Sequence, residues 1–197
     1  MKSLALPAAV LGLAMACAPA LAQTDPMSAG DMTDRFAAQV LDAQNTRSVL
    51  GTGCTRGLAI APACGDDAIA AESETGTRVA YLPVAPEAQV DVMIRFDYDS
   101  AILRPDQEDA LVAICNAIRN SDIPKFLIVG HTDGAGSAAY NEHLSLLRAG
   151  EVKRHLVSDC AISADRLQAM GVGSQYLARH DAPLDEANRR VEFQVAG

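Results

Sequence analysis

The chain has 197 residues, with 16 Lys and Arg against 25 Asp and Glu, a formal net charge of −9, and 49% apolar residues. That length suits one domain of ordinary size plus an extension. The acidic balance, with no basic run, excludes a general nucleic-acid binder; attraction to any other polyanion has to be local and stereochemical.

Residues 1–22 read as an export signal. Lys2 supplies the positive start, Leu4 to Ala16 the apolar stretch, and Ala20-Leu21-Ala22 an A-x-A cleavage site before Gln23. The stretch is too short and too rich in small residues for a membrane span, so none is expected in the mature chain. Cys17 offers an alternative, lipoprotein-type cleavage, although Ala14 and Met15 fit such a site poorly. Export places the other cysteines in an oxidising compartment. Cys54, Cys64, Cys115 and Cys160 form an even set with three possible pairings. Pairing Cys54 with Cys64 and Cys115 with Cys160 would contribute about 3 and about 4 kcal/mol in the loop-entropy account. There is no C-x-x-C spacing, so two disulfides are expected and no metal or cofactor.

Residues 23–87 read as an N-terminal extension and linker. Phe36, Val40 and Leu41 mark a short amphipathic helix, either a docking element for a partner or a loosely packed extension. Gly51 to Thr77, with five glycines and two cysteines, reads as an irregular loop holding the Cys54–Cys64 pair. Ala80 to Pro86, with two prolines, reads as a linker. Between Gln23 and Pro86 there is no room for the alternating strands of a transmembrane barrel.

Residues 88–197 form the domain. Gln89 to Phe96 alternates as a half-buried strand, and Asp97 to Ser100 is turn chemistry. Pro105 opens a helix whose Leu111, Ile114, Cys115 and Ile118 make a core stripe. Phe126 to Val129 is a buried strand, and a helix runs from about Ser137 to Val157, burying Ala149, Val152 and Leu156. Arg166 to Met170 is a further strand, Gly171 and Gly173 a bend, and Val191, Phe193 and Val195 alternate in the last strand. The order βαβαββ predicts an α+β domain, a mixed sheet with two main helices packed on one face.

The centre of this domain is the stretch from Ile128 to Lys153. Asp133 leaves a strand end just before a helix N-terminus, where free backbone N–H groups point outward. Asn141, Ser145 and Arg148 stand at i, i+4 and i+7, on one helix face. Folding that face over Asp133 brings together an anion, a cation and amide donors, a set suited to a small zwitterion with an ammonium and a carboxylate.

The run G-H-T-D-x-x-G-S-x-x-Y-N-x-x-L-S-x-x-R-A-x-x-V from Gly130 to Val152 resembles, at every fixed position, the signature of the OmpA-like peptidoglycan-binding domain. That domain also occurs in peptidoglycan-associated lipoproteins and flagellar stator proteins. Ile94-Arg95-Phe96 and Asn188-Arg189-Arg190-Val191 resemble its opening and closing segments, so the likeness covers roughly residues 88–196. It implies noncovalent binding to the peptidoglycan stem peptide. Asp133 would pair with the ammonium of diaminopimelate and Arg148 with its carboxylate. Thr132, Asn141 and Leu144 would complete the pocket, and Asp97 would reach it from its loop. The bland alternatives are a helix-capping Asp133 and Asp97, turn-fastening Thr132 and Asn141, a core Leu144 and a solvated Arg148. Arg189 and Arg190 either steady the sheet edge or border the pocket.

An enzyme is not expected. His131 and His143 lack a third ligand at metal spacing, and Ser137 and Ser145 lack a nucleophile context. Arg148 beside Asp133 suits a salt bridge better than a general acid. The expected protein is a periplasmic wall-binding module. Its rival is a lipid-anchored outer-membrane tether whose residues 23–87 engage another envelope protein.

Overall fold

The computed structural model describes residues 27–50 and 69–196, apart from positions 76, 77, 86, 95, 98 and 99. The export segment, Cys17 and the expected Cys54–Cys64 loop lie outside the described residues.

Among the described residues are three α-helices and six strands: α1 (Ala29–Leu50), β1 (Ile69–Ser73), β2 (Arg78–Tyr81), β3 (Val90–Val92), α2 (Glu108–Arg119), β4 (Phe126–His131), α3 (Ala138–Ser158), β5 (Leu167–Gly173) and β6 (Val191–Val195). The strands form one sheet in the order β2-β1-β5-β4-β6-β3. From β3 onward the expected βαβαββ order holds. β4 pairs parallel with β5 and antiparallel with β6, so the sheet is mixed.

Alternation along β4 separates two buried layers. Phe126 and Ile128 face the helices, joining Val90, Val92, Val191 and Phe193 with Leu111, Ile114 and Ile118 of α2 and Ala149, Val152 and Leu156 of α3. Leu127 and Val129 face the other way, with Tyr81, Met170 and Val172. The disulfide between Cys115 on α2 and Cys160 just beyond α3 is present, spanning 5.9 Å between Cα atoms.

The extension differs from its expected form. α1 is a 22-residue helix. Ser28 caps it, its hydroxyl accepting from Asp31 N at 3.2 Å. Met32 and Phe36 are buried in the main core, and Phe36 meets Phe126 edge to face at 4.9 Å. Gln39 donates to Ala88 O at 2.8 Å and accepts from Val195 N at 2.6 Å. Leu41 is exposed, because positions 32, 36 and 39 define the inward face and Leu41 falls off it. The expected irregular loop contains β1, which pairs with β2 and, through Glu72 and Ser73, with Gly171 and Met170 of β5.

Likewise, Ala80–Pro86 is not a free linker. Tyr81 ends β2 with its ring fully buried, and Gln194 Nε2 donates to Leu82 O at 3.2 Å. Since β2 and β3 are opposite edges of the sheet, the chain after Tyr81 must cross it, and these contacts place the crossing behind the sheet, away from the helices. It acts as a strap.

Two other bounds move. The first domain strand is ladder-paired only over Val90–Val92, against β6. Gly171 and Gly173, expected as a bend, are the end of β5. A Cβ at Gly171 would collide with the backbone of Glu142 and Leu146, and one at Gly130 with the carbonyl of Ser145. These glycines let α3 lie directly on β4 and β5.

Candidate functional site

β4 ends at His131, and residues 132–137 turn the chain into α3. Asp133 Oδ1 accepts from Ala135 N at 3.1 Å, a local turn closed by the side chain. Gly136 takes the left-handed φ of +87° that the turn requires. Ser137 then caps α3, its hydroxyl accepting from Tyr140 N at 3.2 Å.

Asn141 and Ser145 fasten this turn. Asn141 Nδ2 donates to Ala135 O at 2.8 Å. Ser145 Oγ donates to Glu142 O at 2.8 Å and accepts from Gly173 N at 2.9 Å, tying α3 to the end of β5. Both side chains are buried, so the face they share with Arg148 looks into the protein.

Arg148 is only 7% exposed, not solvated. Its Nε donates to Ser100 O at 3.1 Å, and its guanidinium lies over the Phe96 ring, 4.9 Å from the centroid. The aromatic face and the carbonyl together fix the orientation of the planar guanidinium.

A cavity of ≈ 400 Å³ opens above the turn, lined among others by Phe96, Asp97, Thr132, Asp133, Leu144 and Arg148. All six positions expected at the ligand site, these and Asn141 in place of Phe96, line it together. Arg189 also borders it and donates through Nη1 to Asp133 Oδ2 at 2.8 Å. Asp97 sits at the rim, paired with Arg104 at 3.1 Å. Arg104 in turn forks onto Asp106, whose hydrogen bonds hold the Asp106 carboxyl below the usual carboxylate range. Thr132 is 2% exposed, and its hydroxyl has no hydrogen-bond partner among the described residues. The lining thus holds two carboxylates, two guanidiniums, an unpartnered hydroxyl and two apolar walls, Phe96 and Leu144.

The adjacent arginines separate. Arg189 borders the pocket, whereas Arg190 turns to the rear face, its Nε 3.2 Å from Asp91 Oδ1. Behind the pocket, His131 Nε2 lies 3.1 Å from Glu192 Oε2, which also accepts from Tyr81 Oη at 2.8 Å; Gln194 Nε2 donates to Glu192 Oε1 at 2.7 Å. Burial acts to raise the Glu192 pKa, but the hydrogen bond and charge of His131, with help from Gln194 and Tyr81, hold it below the ordinary value. Burial, and then the charge of Glu192, pushes the Tyr81 phenol far up. The rear histidine is therefore a structural partner of Glu192. His143 is exposed on α3.

Sequence reasoning passed over Phe96 as the shelf under Arg148, and over the rear network. An aromatic residue shortly before an acidic turn was the available signal for the first. Glu192 and Gln194 gave no signal, since alternation alone assigns them to solvent.

A family model described as the OmpA family matches residues 95–190. The chain is 33% identical over 115 residues to outer membrane porin F of Pseudomonas fluorescens, covering 57% of this chain and 35% of that protein. It is 32% identical over 117 residues to outer membrane protein A of Bordetella avium, covering 58% and 60%. The match thus spans about a third to three fifths of the length of these relatives. The solved peptidoglycan-associated lipoprotein from Burkholderia pseudomallei is similar with a TM-score of 0.45 and 26% identity, over 51% of this chain and 86% of that one. Among the described residues no helix is long and apolar enough to cross a membrane. Domains of this family are structural binding modules, not enzymes. Residues 95–190, the segment organised around the signature turn and its cavity, are therefore similar to the OmpA family.

Proposed function

We propose that this domain binds peptidoglycan noncovalently through the diaminopimelate of the stem peptide and so anchors the protein in the cell envelope. The observation that carries this reading is the cavity itself, where Asp133, Arg148, Arg189 and the unpartnered Thr132 hydroxyl converge between Phe96 and Leu144. A free-ended diaminopimelate side chain carries an ammonium and a carboxylate on one carbon, at the end of a short methylene chain. Asp133 takes the ammonium, displacing Arg189 from Oδ2. Arg148 takes the carboxylate through donors that Phe96 and Ser100 have already oriented. Thr132 completes the polar shell, Asn141 holds the turn, and the methylenes lie against Leu144. Asp97 adds negative charge at the rim.

A single cage of this size binds weakly, and retention follows from the many repeated sites in the wall. The test is co-sedimentation with purified peptidoglycan of the diaminopimelate and lysine types. Wild type should pellet with the first and less with the second, and Asp133→Ala and Arg148→Ala should stay in solution while folded. Equal binding to both walls would overturn the diaminopimelate assignment, and no binding to either would overturn the wall reading.

A further inference from the structure

Far from the cavity, at the other end of α3, a second chemical cluster has no part in wall binding. α3 has 21 residues, so its ends lie roughly 30 Å apart. At its C-terminal end the sulfurs of Cys115 and Cys160 and a ring nitrogen of His155 all lie within 4.8 Å of one another. Cys115 comes from α2 and is 4% exposed; His155 is on the last turn of α3 and largely buried. His155 Nδ1 sits 2.7 Å from Asp159 Oδ2, and the other oxygen of that carboxylate accepts from Ser158 Oγ at 2.7 Å. A histidine whose Nδ1 is engaged by a carboxylate has its ring orientation fixed and Nε2 left to ligate, the usual support behind a metal-binding imidazole.

We propose that Cys115, Cys160 and His155 form a zinc-class metal site in the reduced protein, exclusive with the disulfide seen here, with Asp159 as the positioning carboxylate. Two thiolates and an imidazole are the donor set of a borderline-soft divalent ion, and they leave the fourth tetrahedral position for water. With Zn–S near 2.3 Å and tetrahedral angles, the sulfurs would stand about 3.8 Å apart and each about 3.5 Å from the ring nitrogen. The two cysteine side chains would rotate to that spacing from Cα atoms that now stand 5.9 Å apart. The conversion needs a two-electron reductant, either a pair of thiols or a phosphine, the phosphine becoming its oxide while water supplies the oxygen and both protons. Two reductant thiols become a disulfide as the Cys115–Cys160 bond breaks, and their two electrons and two protons pass to the protein sulfurs. Metal binding then releases those two protons. The linear sequence hides this cluster, because Cys115 comes from α2 whereas His155 lies in the last turn of α3 and Cys160 just beyond it.

A competing account is that His155 only supports the C-terminus of α3, where a cation meets the helix dipole. The experiment is a titration of the full chain with Co(II), and then Zn(II) in competition, before and after reduction by a phosphine. The reduced wild type should take up one equivalent of Co(II) with thiolate-to-metal charge-transfer absorption, and the oxidised protein none. His155→Ala should weaken uptake about tenfold or more, and Asp159→Asn by about tenfold. The Cys115→Ser/Cys160→Ser variant reports whether the fold survives without the bond, and should bind no ion. Reduced, folded protein without the thiolate band overturns the proposal. So does uptake unchanged by His155→Ala, or a chain that unfolds on reduction and is not refolded by zinc. None of these readouts depends on wall binding, so the site stands or falls apart from the proposed function.

Discussion

Two acid–base pairs sit back to back at the end of β4 and the start of β6, one in contact with water and one enclosed. In front, Asp133 and Arg189 meet at the cavity rim with 18% and 42% of their side chains exposed. Behind, His131 and Glu192 are fully enclosed, with Tyr81 and Gln194 completing the shell. A pair that keeps contact with water loses little when it is broken and can exchange partners. A pair cut off from water cannot, because breaking it leaves a buried carboxylate or imidazole without its hydrogen-bond partner. The front pair suits recognition and the rear pair fixes the backbone that carries it.

The largest effect should come from the rear. Glu192→Ala leaves His131, Tyr81 and Gln194 without their shared acceptor and should cost about 3–5 kcal/mol in a urea unfolding experiment. A loss below 1 kcal/mol would mean that water reaches the network. Next comes Asp133→Ala, expected to weaken binding of a diaminopimelate stem peptide by about 1.5–3 kcal/mol in calorimetry, with stability nearly unchanged. A large stability loss there would erase the contrast between the two pairs. Tyr81→Phe should cost about 1–2 kcal/mol, since Glu192 keeps two of its partners.

The pH dependence sharpens the contrast. The Glu192 carboxyl is held below its ordinary pKa in the folded protein, so it contributes stability above that ordinary value. That contribution is lost as pH falls through the lower folded value. Urea unfolding between neutral and strongly acidic pH should therefore show a step that Glu192→Gln lacks, while Asp133→Asn retains it. The smallest effect belongs to Arg189→Ala, which should change stability by no more than about 1 kcal/mol. It should raise ligand affinity a few-fold by freeing Asp133, and a fall instead would make Arg189 a ligand contact.

What the sequence disclosed and what it hid follow from the range of the interactions. The turn from Gly130 to Ser137 and the helix after it were legible, because capping, glycine placement and helical spacing are local. Arg148 was harder. Its burial depends on Phe96 and Ser100, some fifty positions away, and an arginine on a polar helix otherwise reads as solvated. Gly171 and Gly173 looked like a bend because their strand role exists only once α3 lies on them. β1 and β2 were hidden by short, small-residue segments whose pairing is supplied by the edge of another unit. In β6, Val191, Phe193 and Val195 alternate as expected, which assigns Glu192 and Gln194 to water. The strap that covers them comes from more than a hundred residues earlier.

The position of β4 also has a mechanical consequence. Its ladders to β5 and β6 flank it on both sides, and the turn bearing Asp133 continues directly from its end. Tension applied at the cavity and directed along β4 would load both ladders in shear, so that many bonds must fail together. α3, which takes the rest of the pull, is stapled at its far end to α2 by Cys115–Cys160. The cavity is thus mounted on the part of the sheet best able to carry load, and the contact proposed for it should let go before the fold behind it yields.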